Sequence, residues 1–459
     1  MSIQECIRQD FSGRKRFHFI AIGGSAMHNL AIALHRKGEH VSGSDDEIFD
    51  PARERLSRYG LLPDMMGWFP DKITPELDAV ILGMHARADN PELIKAKSLD
   101  IKIYSYPEFL YEQSRYKTRI VVGGSHGKTT ITAMIIHVLH ECRVDCDYMV
   151  GAQLEGFDVM VRLTPEAGIM VIEGDEYLTS TIDRRPKFHH YHPNVAIISG
   201  IAWDHINVFP TFENYVEQFR EFVRLIEPGG TLIYNADDLE VCKVADIFGK
   251  TRALPYLVPE HEVRDGVTYL RTPDGEIPLR VFGKHNIANL DAARLACRCV
   301  GISDADFFAA IGSFKGASKR LELIAEDNDF AVFRDFAHAP SKLVATIAAV
   351  KTQFPNRKLV ACLELHTFSS LSETFLSHYK NSMNEADIAI VYYNPQALKH
   401  KKMPPLTPQI VSKHFDRPDL SVFTDSEQLI IHLQELKKQS TVFLMMSSGN
   451  FNGLDLSKL

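Results

Sequence analysis

Short apolar runs alternate along the chain with stretches of helical period, and this alternation recurs in three blocks. In the first block, residues 1–116, Phe17 to Ile22 reads as a strand and Ala26 to Lys37 as a helix. His40 to Gly43 and Ala79 to Gly83 read as further strands. The polar stretch Tyr111 to Lys117 reads as a connector. The second block, 117–313, opens with a strand at Arg119 to Val122 and continues with strands at Ile169 to Ile172 and Val195 to Ser199. Asp-Gly pairs at Asp265 and Asp274 predict a hairpin, and Asn286 to Val300 a helix. The third block, 314–459, follows a small, basic linker from Gly312 to Arg320. Its strands lie near Phe330 to Phe333, Lys358 to Leu363, Ile388 to Val391 and Val442 to Met446. Strands separated by helices predict an α/β fold built on parallel sheets.

Length and composition agree with this plan. At roughly 150 residues per domain, a chain of 459 residues holds about three, and 45% hydrophobic with 24% charged residues is ordinary for a folded protein. A net charge of -8 without a long basic stripe argues against a nucleic-acid partner. The seven cysteines have no zinc-ribbon or CxxC spacing and read as reduced thiols. Met1 to Arg16 mixes charges, and no apolar run reaches transmembrane length, so the expected compartment is the cytoplasm and no membrane partner is expected.

The chemistry begins at Gly123-Gly124-Ser125-His126-Gly127-Lys128-Thr129-Thr130, which leads from a strand into the helix Ile131 to Leu139. Glycines at such a junction let backbone N–H groups turn toward an anion. Lys128 adds a charge for the β and γ phosphates, and the Thr129 hydroxyl is placed for Mg²⁺, so the segment reads as an ATP site, although shorter than the usual phosphate loop. Glu173 ends the next strand, where a carboxylate reaches such a metal, whereas Glu176 reads as a solvated loop charge. The strand after that ends in Asp204-His205, which makes His205 a second metal ligand.

These residues resemble the ATP-dependent muramyl ligases of peptidoglycan precursor synthesis. Gly124 to Thr129 is similar to the family's short phosphate loop, Glu173 to its metal glutamate, and Asp204-His205 to its D-H pair. Gly283-Lys-His-Asn286-Ile-Ala-Asn289-Leu-Asp-Ala-Ala293 resembles its adenine-side string. Phe314 to Glu322 resembles its hinge, with Arg320 reaching the γ-phosphate, and Asp335-Phe-Ala-His338-Ala-Pro340 its nucleotide-holding motif. In the first block, Gly23, Gly24, Ser25 and Met27 resemble a diphosphate-binding turn, with Ala21 where the family has glycine, and Ser44 and Asp45 a uridine-side motif. Read without its neighbours, that block also suits NAD. The resemblance implies a Rossmann-like UDP-N-acetylmuramate domain, a central P-loop ATPase domain, and a Rossmann-like third domain that closes over ATP and binds the amine.

Within the family, Asp183 to Pro193 and the C-terminal Met446 to Gly453 resemble the members that attach a tripeptide. The implied reaction joins L-alanyl-γ-D-glutamyl-meso-diaminopimelate to UDP-N-acetylmuramate through an acyl phosphate, with ATP and Mg²⁺, in peptidoglycan recycling, by a monomer or homodimer. An L-alanine-adding ligase is the near alternative; a P-loop ATPase or an NAD-linked oxidoreductase is the distant one. Two departures stand out. Ile206 to Val241 contains no lysine for the carbamate several relatives use, leaving Arg220, Arg224 or water in its place, and Ala339 follows His338 where relatives often have histidine. His366, Thr367 and Ser369 sit where a parallel sheet would form a ligand site.

Overall fold

The computed structural model describes residues 13–154, 157, 159–203, 208–249, 252–327, 330–437 and 440–459. The chain forms two compact units. One is the chain up to Leu257 together with Ala292–Phe307, and the other is Val258–Asp291 together with Phe308–Leu459.

The first unit holds two sheets. Four parallel strands lie in the order His40–Ser44, Arg16–Ile20, Ala79–Leu82 and Ile103–Ser105. Their inner positions, Phe19, Ile20, Val80 and Ile81, are buried, as apolar runs in a helix-covered parallel sheet must be. The second sheet orders seven strands as Ala253–Tyr256, Thr231–Asn235, Val195–Ile198, Thr118–Gly123, Ile169–Glu173, Cys146–Met149 and Val161–Arg162, with only the last antiparallel. The central strand pairs Val122 with Glu173 and Gly123 with Ile198. Three strand ends, carrying the phosphate loop, Glu173 and Ser199, therefore open on one edge. Tyr111–Ser114, expected as a connector, instead complete the helix Tyr106–Ser114, which starts with a Ser105/Glu108 capping box. Local polarity concealed a helix whose other face buries Phe109 and Leu110.

In the second unit, six strands run in the order Glu322–Glu326, Phe330–Asp335, Thr441–Met446, Lys358–Glu364, Ile388–Tyr392 and Ser421–Phe423, parallel after the first pair. The expected hairpin is a three-stranded meander, His261–Arg264, Val267–Thr272 and Gly275–Leu279. Asp265 and Gly266 both take positive φ, as a tight two-residue turn requires. Thr268 Oγ1 donates to Gln353 at 2.9 Å, which ties the meander to the helix Pro340–Gln353. Compact units and sequence blocks thus divide the chain differently, with the meander grouped among the C-terminal elements.

Ala21 leaves the first strand with φ +66°, a left-handed conformation that costs an L-residue about 1–2 kcal/mol. A methyl on Gly83 would stand 2.9 Å from the Ala21 Cβ, so the neighbouring position already concedes space to it. Ala21→Gly removes the strain without opening a large cavity. The expected outcome is a thermal midpoint raised by about 1–3 °C, and an unchanged or lower midpoint by calorimetry contradicts the strain.

Candidate active site

The phosphate loop is shaped by two glycines. Gly124 has φ +131°, and a Cβ there would meet the backbone nitrogens of Ser199 and Gly200 at 2.8 and 3.0 Å, so this turn admits glycine alone. Gly127, at φ +76°, is the N-cap of the helix Lys128–Glu141. No side chain caps that end, which leaves the helix's positive pole for an anion. Ser199 Oγ donates to the carbonyls of Gly123 and His126 and fixes the loop from the next strand. Thr130 is buried behind it, and Ser125 turns its hydroxyl inward, 2.8 Å from the Tyr215 hydroxyl.

The charges pair closely. Lys128 Nζ donates to the Gly124 carbonyl at 2.6 Å and to Glu176 Oε2 at 2.7 Å. Glu176 is 1% exposed, so the expectation of a solvated loop charge is overturned. The backbone after Glu173 folds the side chain back onto the lysine, a contact no local pattern announces. Burial by itself would lower the Lys128 ammonium, but Glu176, Asp175 and Glu173 outweigh it and hold the lysine above its ordinary value. Glu173 is buried too, and burial followed by Asp175 pushes its carboxyl up, against hydrogen bonds that favour the charged form. Thr129 Oγ1 donates to Glu173 Oε1 at 2.7 Å and Gly151 N–H to Oε2 at 2.6 Å. A Cβ on Gly151 would lie about 3 Å from both Glu173 oxygens. Thr129 and Glu173 form a pair of hard oxygen donors beside the loop, the set that suits Mg²⁺. Asp204 and His205 lie outside the described residues.

Arg220 and Arg224, the side chains left for the place of the absent lysine, are both held by carboxylates. Arg220 binds Glu213 and, at 2.8 Å, Glu217; Arg224 binds Glu221 and, at 2.9 Å, Glu217. Both guanidinium groups are thus engaged by carboxylates of their own helix, Phe212–Arg224, because (i, i+3) and (i, i+7) positions share a face.

A cleft of about 690 Å³ opens on the first sheet, lined by Gly23, Gly24, Ser25 and Asp45, with His85 and Arg87 among the residues of the facing loop. Gly23 N–H donates to Asp45 Oδ2 at 2.7 Å, and a Cβ on Gly23 would come within 2.9 Å of that oxygen. The helix Ser25–Arg36 starts here with no side-chain cap. Met27 and Ser44 are buried and do not line the cleft; Ser44 Oγ accepts from Lys72 Nζ at 3.3 Å. The facing loop escaped sequence reading, since His85 and Arg87 belong to no periodic pattern. Thr181 reaches that loop from the segment after Glu173, donating from Oγ1 to the Ala86 carbonyl at 2.7 Å.

In the second unit, Asn286 and Asn289 are buried on the helix Lys284–Cys299, and Asn286 Nδ2 donates to the Phe282 carbonyl at 2.9 Å. Asp335 ends a strand and accepts from the Leu321 and Ala337 N–H groups, both at 2.7 Å. Burial pushes its carboxyl up, while Arg320 and those two N–H groups oppose the rise. Arg320 lies over the Phe336 ring at 4.6 Å, flanked by Lys319 and Leu321 at φ +57° and +45°. Two left-handed side-chain-bearing residues on either side of Arg320 mark a locally strained segment. His338 Nδ1 lies 2.8 Å from the Phe336 carbonyl.

Three family models match the chain in order: "Mur ligase family, catalytic domain" over residues 16–118, "Mur ligase middle domain" over 122–297, and "Mur ligase, glutamate ligase domain" over 319–449. A UDP-N-acetylmuramate–L-alanyl-γ-D-glutamyl-meso-2,6-diaminoheptandioate ligase from Escherichia coli (strain K12) is 30% identical over 76% of this chain and 78% of its own. A UDP-N-acetylmuramate–L-alanine ligase from Carboxydothermus hydrogenoformans is 27% identical over 95% and 94%. Among solved structures, a murein peptide ligase from Psychrobacter arcticus 273-4 superposes with a TM-score of 0.64 at 24% identity, covering 96% of this chain and 97% of that one.

Burial, supported by Asp46 and opposed by the Gly23 N–H, pushes Asp45 up to about 6. Asp45 is therefore mostly protonated at pH 5 and mostly charged at pH 7, and for the role we propose for it, holding a ribose, the charged form is the stronger acceptor. UDP affinity by calorimetry should gain up to about tenfold between these pH values, beyond whatever gain Asp45→Asn shows. Parallel pH profiles for the two proteins contradict this role.

Proposed function

The chain belongs to the Mur ligase family and is an ATP-dependent amide ligase, and from that premise we propose that it joins L-alanyl-γ-D-glutamyl-meso-diaminopimelate to UDP-N-acetylmuramate in peptidoglycan recycling. The observation that carries the reading is the Thr181–Ala86 hydrogen bond. The segment that begins at Glu173, beside the phosphate loop, also braces the wall of the cleft lined by Gly23, Gly24 and Asp45. That segment leads into the Asp183–Pro193 string by which the chain resembles tripeptide-adding relatives. Among the described residues no helix is long and apolar enough to cross a membrane.

Gly23, Gly24 and Ser25 would hold the diphosphate at a helix N-terminus and Asp45 the ribose. The phosphate loop would hold ATP, with Lys128 on the γ-phosphate; that Asn286, Asn289, Arg320, Asp335 and His338 also meet the nucleotide is what the family resemblance implies. The muramoyl carboxylate oxygen attacks the γ-phosphorus, the bond to the bridging oxygen breaks, and ADP leaves. The neutral amine nitrogen then attacks the acyl carbon, phosphate departs with the former carboxylate oxygen, and the amine's extra proton is lost. Lys128 would spread the charge of the phosphoryl group in transit, an electrostatic contribution fixed before reaction, and the family resemblance gives Arg320 the same task. Mg²⁺, held by Thr129 and Glu173 with His205 as the proposed second ligand, would neutralise charge on the triphosphate.

A relative named as an L-alanine ligase aligns over nearly the whole chain, so the amine decides between the two readings. With ATP, Mg²⁺ and UDP-N-acetylmuramate, phosphate release is expected with the tripeptide and not with free L-alanine; equal turnover with L-alanine removes the tripeptide assignment. Lys128→Ala and Glu173→Gln should each lower phosphate release at least about a hundredfold, ~3 kcal/mol of transition-state stabilisation. Folded variants retaining wild-type rates would dissociate these residues from the chemistry.

A further inference from the structure

Glu176 is left over by this chemistry. Its Oε2 holds Lys128 at 2.7 Å, and the Tyr215 hydroxyl donates to its Oε1 at 3.4 Å. Tyr215 OH and Ser125 Oγ lie 2.8 Å apart, and Ser125 Oγ accepts from the Ala202 N–H at 2.9 Å. A chain of polar groups, with Glu176, Tyr215 and Ser125 all buried, thus runs from the phosphate-loop ammonium to the backbone two residues ahead of Asp204. Its members come from four places: the phosphate loop, the segment after the strand Ile169–Glu173, the helix Phe212–Arg224 and the segment after Val195–Ile198.

We propose that Glu176 is a positioning residue that holds Lys128 while no nucleotide is bound, and that an incoming triphosphate takes the lysine from it. The proposal rests on the phosphate loop being the ATP site. An ammonium partly withdrawn from water is favoured by a counter-charge, and the buried Glu176 supplies one at hydrogen-bond distance. When the γ-phosphate arrives it takes over that task, and the Glu176 carboxylate becomes a competing anion beside it. Its charge therefore opposes nucleotide binding while it keeps the lysine extended toward the loop. Tyr215 supports the carboxylate from behind, and through Ser125 the same hydrogen-bonded chain reaches the backbone that leads to Asp204.

Glu176→Gln keeps the side chain's size and an accepting oxygen but removes the charge. Calorimetric titration with Mg·ATP, without acid or amine, should show roughly tenfold tighter binding, about 1.4 kcal/mol, and ADP should tighten likewise. Glu176→Asp, which restores the charge, should return affinity toward wild type. Tyr215→Phe loosens the carboxylate and should tighten ATP binding roughly twofold, in the same direction. A purely structural role predicts the opposite, weaker binding in each variant. Unchanged or weaker binding in folded Glu176→Gln overturns the proposal; should that variant not fold, Tyr215→Phe decides by the same criterion. None of these titrations involves the amine, so a failed tripeptide assignment leaves the affinity ratios standing. A wild-type protein that does not bind ATP overturns the proposal and the ATP-site reading together.

Discussion

Lys128 carries its charge at the half-buried start of a helix, beside carboxylates that hold it charged. Much of the surrounding architecture serves that pairing. The register that sets Val122 opposite Glu173 brings the first carboxylate to the loop's edge, and the backbone beyond it returns Glu176 to the lysine. Gly124 lets the loop pass within contact of Ser199 and Gly200, so that its carbonyl can also receive the ammonium. Anionic phosphates and the protein's own carboxylates are thus alternative partners for one cation. Such an arrangement favours exchange over permanent pairing.

The same segment links the chemistry to substrate capture. Between Glu173 and Lys187 the chain leaves the phosphate loop, sends Thr181 to the wall of the cleft, and returns to a short helix at Lys187–His190. Lys187 lies over the Tyr177 ring at 4.1 Å and 3.5 Å from Asp175 Oδ2, which closes the excursion on itself. The cleft on the first sheet and the phosphate loop therefore share a brace within one compact unit.

Features with a local signature were legible in the sequence. Strands that end in glycine or a carboxylate, the phosphate loop and the Asp-Gly turn at Asp265 all obey short-range rules, and the structure has them where the pattern puts them. Contacts between distant segments were not legible. Nothing near Glu176 distinguishes it from a surface glutamate, and its burial follows from how the loop folds back. Arg220 and Arg224 look available until the helix shows Glu213, Glu217 and Glu221 on the same face. Tyr111–Ser114 misled because the polar residues of a helix's last turn resemble a linker. The Thr181 contact joins residues 95 positions apart, beyond any periodicity.

A crystal structure with Mg²⁺, a non-hydrolysable ATP analogue and UDP-N-acetylmuramate tests the central claim most directly. The account requires the terminal phosphate against Lys128 Nζ, the ion on Thr129 and Glu173, Glu176 released from the lysine, and the muramoyl carboxylate facing the terminal phosphorus. A terminal phosphate remote from Lys128 and Glu173, with the Lys128–Glu176 pair intact, would contradict it.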